Sequence, residues 1–338
     1  MLSAYLVNPG AIEIREVPIP EPGPAEIVVK IISALTCGTD LKAYVRGHSL
    51  IPMPGPFGHE FSGIVHSAGK GVKKFKESDE IMPVHSAPCN NCSYCDRGIH
   101  NLCRDIMKNK VLGAFAGYIR IPGHVVRQNC YKKPGELSFD EAAMLEPLSC
   151  IVHPYSRIKL RETENAVIIG AGPVGLLHLL FLKSRGIKTI ISDLNEDRLE
   201  FANSIGADIL SAPAGLADTI HDNTKGMGAD IVVECTGLPG VWQESVNYVR
   251  RGGIVILFGG CADGTSVRFG THMMHYDEIT LMGSFHFTPY DVKNAYSLLR
   301  NRTINAGPLI TDVIALKDIK TAFENLKNGK GIKYSVRP

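Results

Sequence analysis

Net charge is the first thing the chain lacks: 36 basic residues stand against 34 acidic ones over 338 residues, leaving a formal +2. Without a basic excess there is no electrostatic case for binding nucleic acid or an anionic membrane. Met1 to Val7 has no basic stretch followed by a long apolar one, and the longest apolar run, Ala166 to Leu182, is broken by three glycines, Pro173 and His178. Both a secretion signal and a membrane span are therefore disfavoured, and the expected location is the cytoplasm. Internal repeats and low-complexity segments are absent too. Cysteine is present in an odd number, nine, which without a secretion signal favours metal binding and free thiols over disulfides. The length implies two domains, and 44% hydrophobic with 7% aromatic residues is ordinary for a soluble globular protein.

The second half is organised around Val167 to Asp193. An apolar run, Ala166 to Ile169, fits a buried parallel strand, and Gly170, Gly172 and Gly175 follow at the G-x-G-x-x-G spacing where such a strand turns into a helix. Gly170 permits the tight turn, Gly172 lets the backbone approach a pyrophosphate, and Gly175 lets the helix pack on the strand. The helix N-terminus is then aimed at the anion. A second run, Thr189 to Ser192, ends at Asp193, eighteen residues past Gly175. Its carboxylate can accept hydrogen bonds from the adenosine ribose and repels a 2′-phosphate, which points to NAD rather than NADP. Pro173, Val174 and Arg198 complete the cofactor-binding candidates. Strand-like runs near 166–169, 189–193, 207–210, 230–234, 253–259 and 279–284 alternate with helical segments, including Glu196 to Ile205 and Val241 to Arg250. That alternation makes a doubly wound parallel sheet.

The first half has another texture. Short β-like runs, Ala4 to Val7, Ile12 to Val17 and Ile27 to Ala34, are separated by proline and glycine clusters, so this part is a β-rich domain. Around Gly38 and Asp40 the chain turns into a short helix. Gly113 to Pro134 reads as short strands, Leu137 to Leu145 as a helix opened by Ser138, and Glu146 opens another. Two helices, Val292 to Arg300 and Ile319 to Asn328, precede a closing strand near Ile332 to Val336. Cys89, Cys92, Cys95 and Cys103 give C-x2-C-x2-C-x7-C in a loop-like stretch. Four thiolates so spaced can wrap one tetrahedral zinc with no open position, a structural site, with iron–sulfur ligation and a zinc ribbon as weaker rivals. Cys130, Cys150, Cys235 and Cys261 read as core or incidental, and His153 and His178 as packing residues.

Cys37-Gly38-Thr39-Asp40, Gly58-His59-Glu60-Phe61-Ser62-Gly63, the four-cysteine lobe, Glu146-Pro147-Leu148-Ser149 and Gly170-Ala171-Gly172-Pro173-Val174-Gly175 together resemble the zinc-dependent medium-chain alcohol dehydrogenases. Within that family the chain is most similar to the sorbitol (polyol) and threonine dehydrogenase branch, over essentially its whole length. The resemblance implies an α/β protein with a Rossmann domain, residues 151–287, inserted into a GroES-like β-rich catalytic domain made of 1–150 and 288–338. It implies a catalytic zinc held by Cys37, His59 and Glu146, with Glu60 as alternating ligand or neighbouring carboxylate, and a homo-oligomer, dimer or tetramer. Such a zinc keeps one position open, where an alcohol is acidified as metal-bound water is. Thr39 would pass the alcohol proton outward. The expected reaction is NAD-dependent oxidation of a secondary alcohol or polyol, the alternatives being L-threonine 3-dehydrogenase and a non-catalytic member of the fold.

Departures from the family pattern are local. Lys42 stands where a histidine commonly ends the proton relay, and an ammonium cannot accept a proton in the same way near neutral pH. Ser78-Asp79-Glu80-Ile81 replaces the usual Gly-Asp-Arg-Val, and Gly117 precedes Tyr118 where a glutamate often does.

Overall fold

Ile27–Leu35 alternates little and is buried along nearly its whole length, which suits a strand covered on both faces. It pairs antiparallel with Glu60–Ala68 and Tyr118–Ile121, and its far end meets Lys333–Arg337 from the other end of the chain. In the computed structural model, which describes residues 1–161 and 164–338, this strand is central to a seven-stranded sheet. The unit around it comprises Met1–Cys150 and His286–Pro338; the other unit is Ile151–Phe285. A second, three-stranded sheet joins Ala11–Glu16, Leu2–Asn8 and Gly55–Pro56.

Aromatic packing fixes the helix Gly38–Arg46 in the first unit. Phe57 meets Phe115 at 4.9 Å and Phe323 at 5.6 Å, and Phe323 lies 5.5 Å from Tyr44 on that helix. The Tyr44 hydroxyl also donates to Glu324 at 2.5 Å. Helix Ile319–Lys327, which carries Phe323 and Glu324, thus holds the helix that follows Cys37.

The second unit is a six-stranded parallel sheet in the order Ile209–Ser211, Lys188–Ser192, Asn165–Ile169, Ala229–Glu234, Val249–Leu257, Thr280–Gly283. Its direction of winding reverses between Asn165–Ile169 and Ala229–Glu234, which is where doubly wound folds open a ligand crevice at the strand C-termini.

Three sequence readings need correction. The segment read as a helix from Val241 to Arg250 is helical only through Asn247, and Val249 already pairs with Ala229. Val246 and Val249 are both buried and stand three apart, a helical spacing, and the pairing of Val249 with Ala229 overrode it. Within 113–134, Gly123–Gln128 is a helix, because Val125 and Val126 bury themselves in the core despite their β preference. The second junction between units falls between Phe285 and His286, two residues before the 287/288 boundary read from the sequence.

His178 is fully buried in the second unit, shares a 2.8 Å hydrogen bond with the Tyr155 hydroxyl, and packs edge-on to Phe258. Burial pushes its imidazole down to about 3. Between there and the ordinary value of ~6.5 only the unfolded chain takes up the proton, so stability falls as pH drops, by about 1.4 kcal/mol per pH unit. His178→Leu should flatten the fall in unfolding free energy between pH 6 and 4.5 by about that slope, measured by urea denaturation. Identical slopes in variant and wild type would refute the assignment.

Candidate active site

Strand register builds the site. Leu35 pairs directly with Glu60, so Cys37, just past one strand, and His59, just before the other, emerge at the same end of the sheet. Cys37 is the N-cap of helix Gly38–Arg46, and its sulfur accepts the Thr39 amide at 3.5 Å. A helix N-terminus favours the thiolate. Ligand atoms of Cys37, His59 and Glu60 all lie within 4.8 Å of one another. Thr39 is half-buried on the same helix, one turn before Lys42.

Two residues that the motifs did not single out complete this cluster. Asp40 is wholly buried, with Oδ1 3.4 Å from His59 Nδ1, the arrangement by which a carboxylate orients a metal-bound imidazole. Lys333, also buried, donates to Glu60 Oε2 at 2.5 Å and to the Thr36 carbonyl at 2.7 Å. Asp40 stood in the Cys-Gly-Thr-Asp motif, three residues past Cys37, and could have been found there. Lys333 gave only one faint sign, a cation inside an otherwise buried closing strand.

Burial sets the electrostatics of these groups. For His59 it is the largest single influence and opposes the imidazolium, yet Asp40 and Cys37 together raise the ring well above its ordinary value. Burial, then the Glu60 charge, push the Cys37 thiol up, with His59 pulling the other way. Glu60 is pushed up to about 7, mainly by burial, against the pull of Lys333. The groups therefore hold protons that a dication would displace. Glu60 Oε1, in the donor group itself, is buried without a hydrogen-bond partner. A sulfur, nitrogen and oxygen donor set with such an orphaned oxygen fits zinc.

Glu146 falls in a neighbouring group. Its ligand atom clusters within 4.8 Å of those of His85 and His286, with Oε1 3.2 Å from His85 Nδ1 and 3.8 Å from the Cys150 sulfur. Cys150 thus borders the site. Burial raises Glu146, with His59 opposing, and burial with the His59 charge lowers His85 well below its ordinary value. His85 and His59 stand 5.1 Å apart, ring to ring, so the two groups adjoin.

The four-cysteine lobe is as compact as a tetrahedral site demands. Sulfur separations are 4.0 Å for Cys89–Cys95, 3.6 Å for Cys92–Cys95 and 4.0 Å for Cys92–Cys103. Four sulfurs at ~2.3 Å from one zinc would be about 3.8 Å apart. Backbone amides of Arg104 and Cys95 pull Cys92 down to about 6, which favours the thiolate needed for ligation.

In the second unit, Gly170 has φ +103° and its amide donates to the Ser192 carbonyl at 2.7 Å. A Cβ on Gly175 would sit 1.8 Å from the Gly170 carbonyl, so only glycine lets helix Pro173–Lys183 approach. Gly172 caps that helix without any side-chain hydrogen bond, leaving first-turn amides available to an anion. Asp193 accepts the Ala171 amide at 2.6 Å and the Asn195 amide at 2.9 Å. Arg198 lies in the helix that Asn195 caps, with its Nε buried and without a hydrogen-bond partner.

Comparison with known proteins accounts for both units. The alcohol dehydrogenase GroES-like domain matches residues 23–134 and the zinc-binding dehydrogenase domain matches residues 173–301. A sorbitol dehydrogenase of Halalkalibacterium halodurans is 31% identical, over 97% of this chain and 96% of its own length. The chain belongs to the zinc-dependent medium-chain alcohol dehydrogenases, in their sorbitol dehydrogenase-like branch. Human sorbitol dehydrogenase is likewise 31% identical, over 99% of this chain and 95% of its own. A solved structure described as a zinc-binding dehydrogenase of Sinorhizobium meliloti 1021, bound to NADP, superimposes with a TM-score of 0.89 at 27% identity, covering 100% of this chain and 99% of its own. This dehydrogenase is accordingly an oxidoreductase of CH–OH donors, with a GroES-like unit and a Rossmann-like parallel sheet.

Lys333→Met would strip Glu60 of its buried partner, and removing one member of such a pair costs ~3–5 kcal/mol. The loss should appear in the urea midpoint and be largely recovered by adding Glu60→Gln. A double variant no more stable than the single one would show that the pair is not what Lys333 contributes.

Proposed function

We propose that this dehydrogenase oxidises a polyol or other secondary alcohol to the ketone, with two zinc ions per chain and NAD as hydride acceptor. The convergence of Cys37, His59 and Glu60 in one buried cluster carries the reading. A zinc held there would act as a Lewis acid on the alcohol oxygen while NAD accepts the hydride. Glu146 is the further candidate ligand, from the neighbouring group. Asp40 orients His59 and Lys333 balances the Glu60 charge, so the donors are set before metal arrives. Thr39, whose hydroxyl both accepts and donates, moves the alcohol proton outward. Lys42 serves the cofactor rather than the proton. The cysteine lobe holds the second zinc, in a purely structural role supported by its 3.6–4.0 Å sulfur spacing.

NAD is preferred because Asp193 closes strand Lys188–Ser192 beside the glycine loop and would repel a 2′-phosphate. The NADP-bound relative makes this preference the point to measure. A soluble cytoplasmic homo-oligomer, dimer or tetramer, is the assembly that the family resemblance supports. No helix among the described residues is long and apolar enough to cross a membrane.

The decisive experiment measures zinc content and NADH formation with sorbitol, xylitol, butane-2,3-diol and threonine. Two zinc ions per chain are expected. Cys89→Ser should lower stability, Cys37→Ser should abolish turnover with less effect on folding, and Thr39→Val should keep its zinc while losing ~10²-fold in turnover. One zinc in the wild type, or an active Cys37→Ser enzyme, would contradict the scheme. Asp193→Ser should weaken NAD use and admit NADP. A wild type that reduces NADP faster than NAD would overturn the cofactor assignment.

A further inference from the structure

Glu234 is a wholly buried carboxylate in the second unit, and the NAD reading gives it no part. It ends strand Ala229–Glu234, in register with Ile169 on one side and with Leu257 on the other. The glycine loop after Ile169 and the loop after Leu257 therefore both begin beside it.

Its side chain turns back on its own loop. Oε1 accepts the Thr236 amide at 2.7 Å, the Gly237 amide at 3.0 Å and the Thr236 hydroxyl. Oε2 accepts the Gly237 amide at 3.3 Å and faces Gly259, where an added Cβ would lie 2.8 Å from it. The Glu234 carbonyl takes the amides of Phe258 and Gly259 at 3.1 and 2.9 Å. One residue thus shapes two loops, and they touch backbone to backbone: a Cβ on Gly259 would stand 2.3 Å from the Gly237 nitrogen. Trp242 braces the same contact, its indole donating to the Gly259 carbonyl at 2.7 Å. On the other side a Cβ on Gly170 would meet Thr236 Cγ2 at 3.1 Å, so the loop also packs on the glycine turn.

The donors to the carboxylate are two amides and a hydroxyl, all neutral. Burial pushes the carboxyl up, and the Thr236 and Gly237 donors oppose it. An ordinary turn is closed by serine or asparagine without burying an acid. A buried acid with its acceptors filled rigidifies what it holds, and that rigidity repays desolvation where the position of the loop backbone has a use.

Sheet order supplies the use. Asp193 follows Lys188–Ser192, on one side of Asn165–Ile169, whereas Ala229–Glu234 and Val249–Leu257 lie on the other. With the pyrophosphate at the N-terminus of helix Pro173–Lys183 and the adenosine toward Asp193, the other half of an extended dinucleotide runs over the ends of those two strands. The loops that Glu234 ties together are the ones that stand there.

We propose that Glu234 is a positioning residue for the nicotinamide riboside half of NAD, fixing the loops at 236–237 and 258–259 against each other as the surface on which that half rests. The inference rests on the NAD reading of this unit. Glu234 itself touches neither the cofactor nor the substrate.

The test measures dissociation constants by calorimetry, on the zinc-loaded protein, for NAD and for ADP, which has the adenosine and both phosphates but no nicotinamide riboside. Glu234→Leu should weaken NAD about tenfold, with the KM for NAD rising in step, and leave ADP within about twofold. The emission of Trp242, the only tryptophan of the chain, should shift in this variant before any cofactor is added. Glu234→Gln keeps an acceptor oxygen and should recover a good part of the NAD affinity. Thr236→Val removes the hydroxyl but keeps a methyl against Gly170; it should weaken NAD about threefold and ADP not at all, and it carries the comparison if Glu234→Leu does not fold. NAD and ADP weakened equally, NAD unweakened, or an unshifted Trp242 emission overturns the proposal. So does Glu234→Gln binding NAD no better than Glu234→Leu, because charge toward the cationic ring would then be what the residue supplies. Each of these outcomes leaves the dehydrogenase reading standing, whereas a wild type that binds neither NAD nor ADP refutes the cofactor assignment and this inference together.

Discussion

The pairing of Leu35 with Glu60 is the constraint on which the first unit's chemistry depends. It brings the end of one strand and the beginning of another to the same edge, and Cys37 and His59 flank that edge in sequence. A slip of one residue would turn Glu60 to the opposite face and separate the donors. Lys333 opposes such a slip from the other end of the chain, since its own strand pairs Ser335 with Leu35 while its ammonium grips Glu60. Ser33 and Ser335 both donate to Asp140 Oδ1 at 2.6 Å, and Arg337 reaches Asp140 Oδ2 at 2.7 Å. Buried charge is a poor source of stability, because desolvation offsets much of the attraction. Its worth here is specificity: only the correct register satisfies all of these groups at once.

The same burial that makes these groups expensive also prepares them for a cation. Burial raises the Cys37 thiol and pushes Glu60 up to about 7, while Asp40 and the Cys37 sulfur raise His59 against its burial. Metal binding in such a cluster is an exchange of protons for one divalent charge, and the dry surroundings that raised the thiol and carboxylate then strengthen the metal's hold. The cysteine lobe reaches a related end by another route. Backbone amides, rather than a carboxylate neighbour, depress one of its thiols, and a loop can do this because its amides are not consumed by a sheet.

What the sequence made legible follows from how far apart the cooperating residues lie. The four cysteines and the glycine loop are local patterns, so their spacing carried the geometry. Cys37 and His59 were readable as motifs, although the strand register that joins them was not. Lys333 is 273 residues from Glu60; no periodicity or spacing rule reaches across such a distance. Asp40 was in view and passed over, because a carboxylate in the first turn of a helix has an ordinary explanation in the helix dipole. Gly123–Gln128 was missed for a different reason, its β-branched valines being placed by the core rather than by their local preference.

Asp193 shows how a correctly located residue can have a second role that no motif states. In the usual reading the carboxylate meets the ribose. Here it already accepts the amides of Ala171 and Asn195, so one side chain ties the middle of the glycine loop to the start of the next helix. Each oxygen retains a lone pair, and a ribose hydroxyl can still donate to it. The consequence is a coupling between loop shape and cofactor choice. Exchanging the carboxylate for a neutral group changes the electrostatics toward a 2′-phosphate, and it also releases the Ala171 amide that helps define the approach to the helix N-terminus. A change of specificity from NAD to NADP at this position therefore requires a replacement acceptor for that amide as well as a cation for the phosphate. Arg198, one turn into the adjoining helix with its Nε buried and unpartnered, is the nearby side chain with the chemistry to supply the cation.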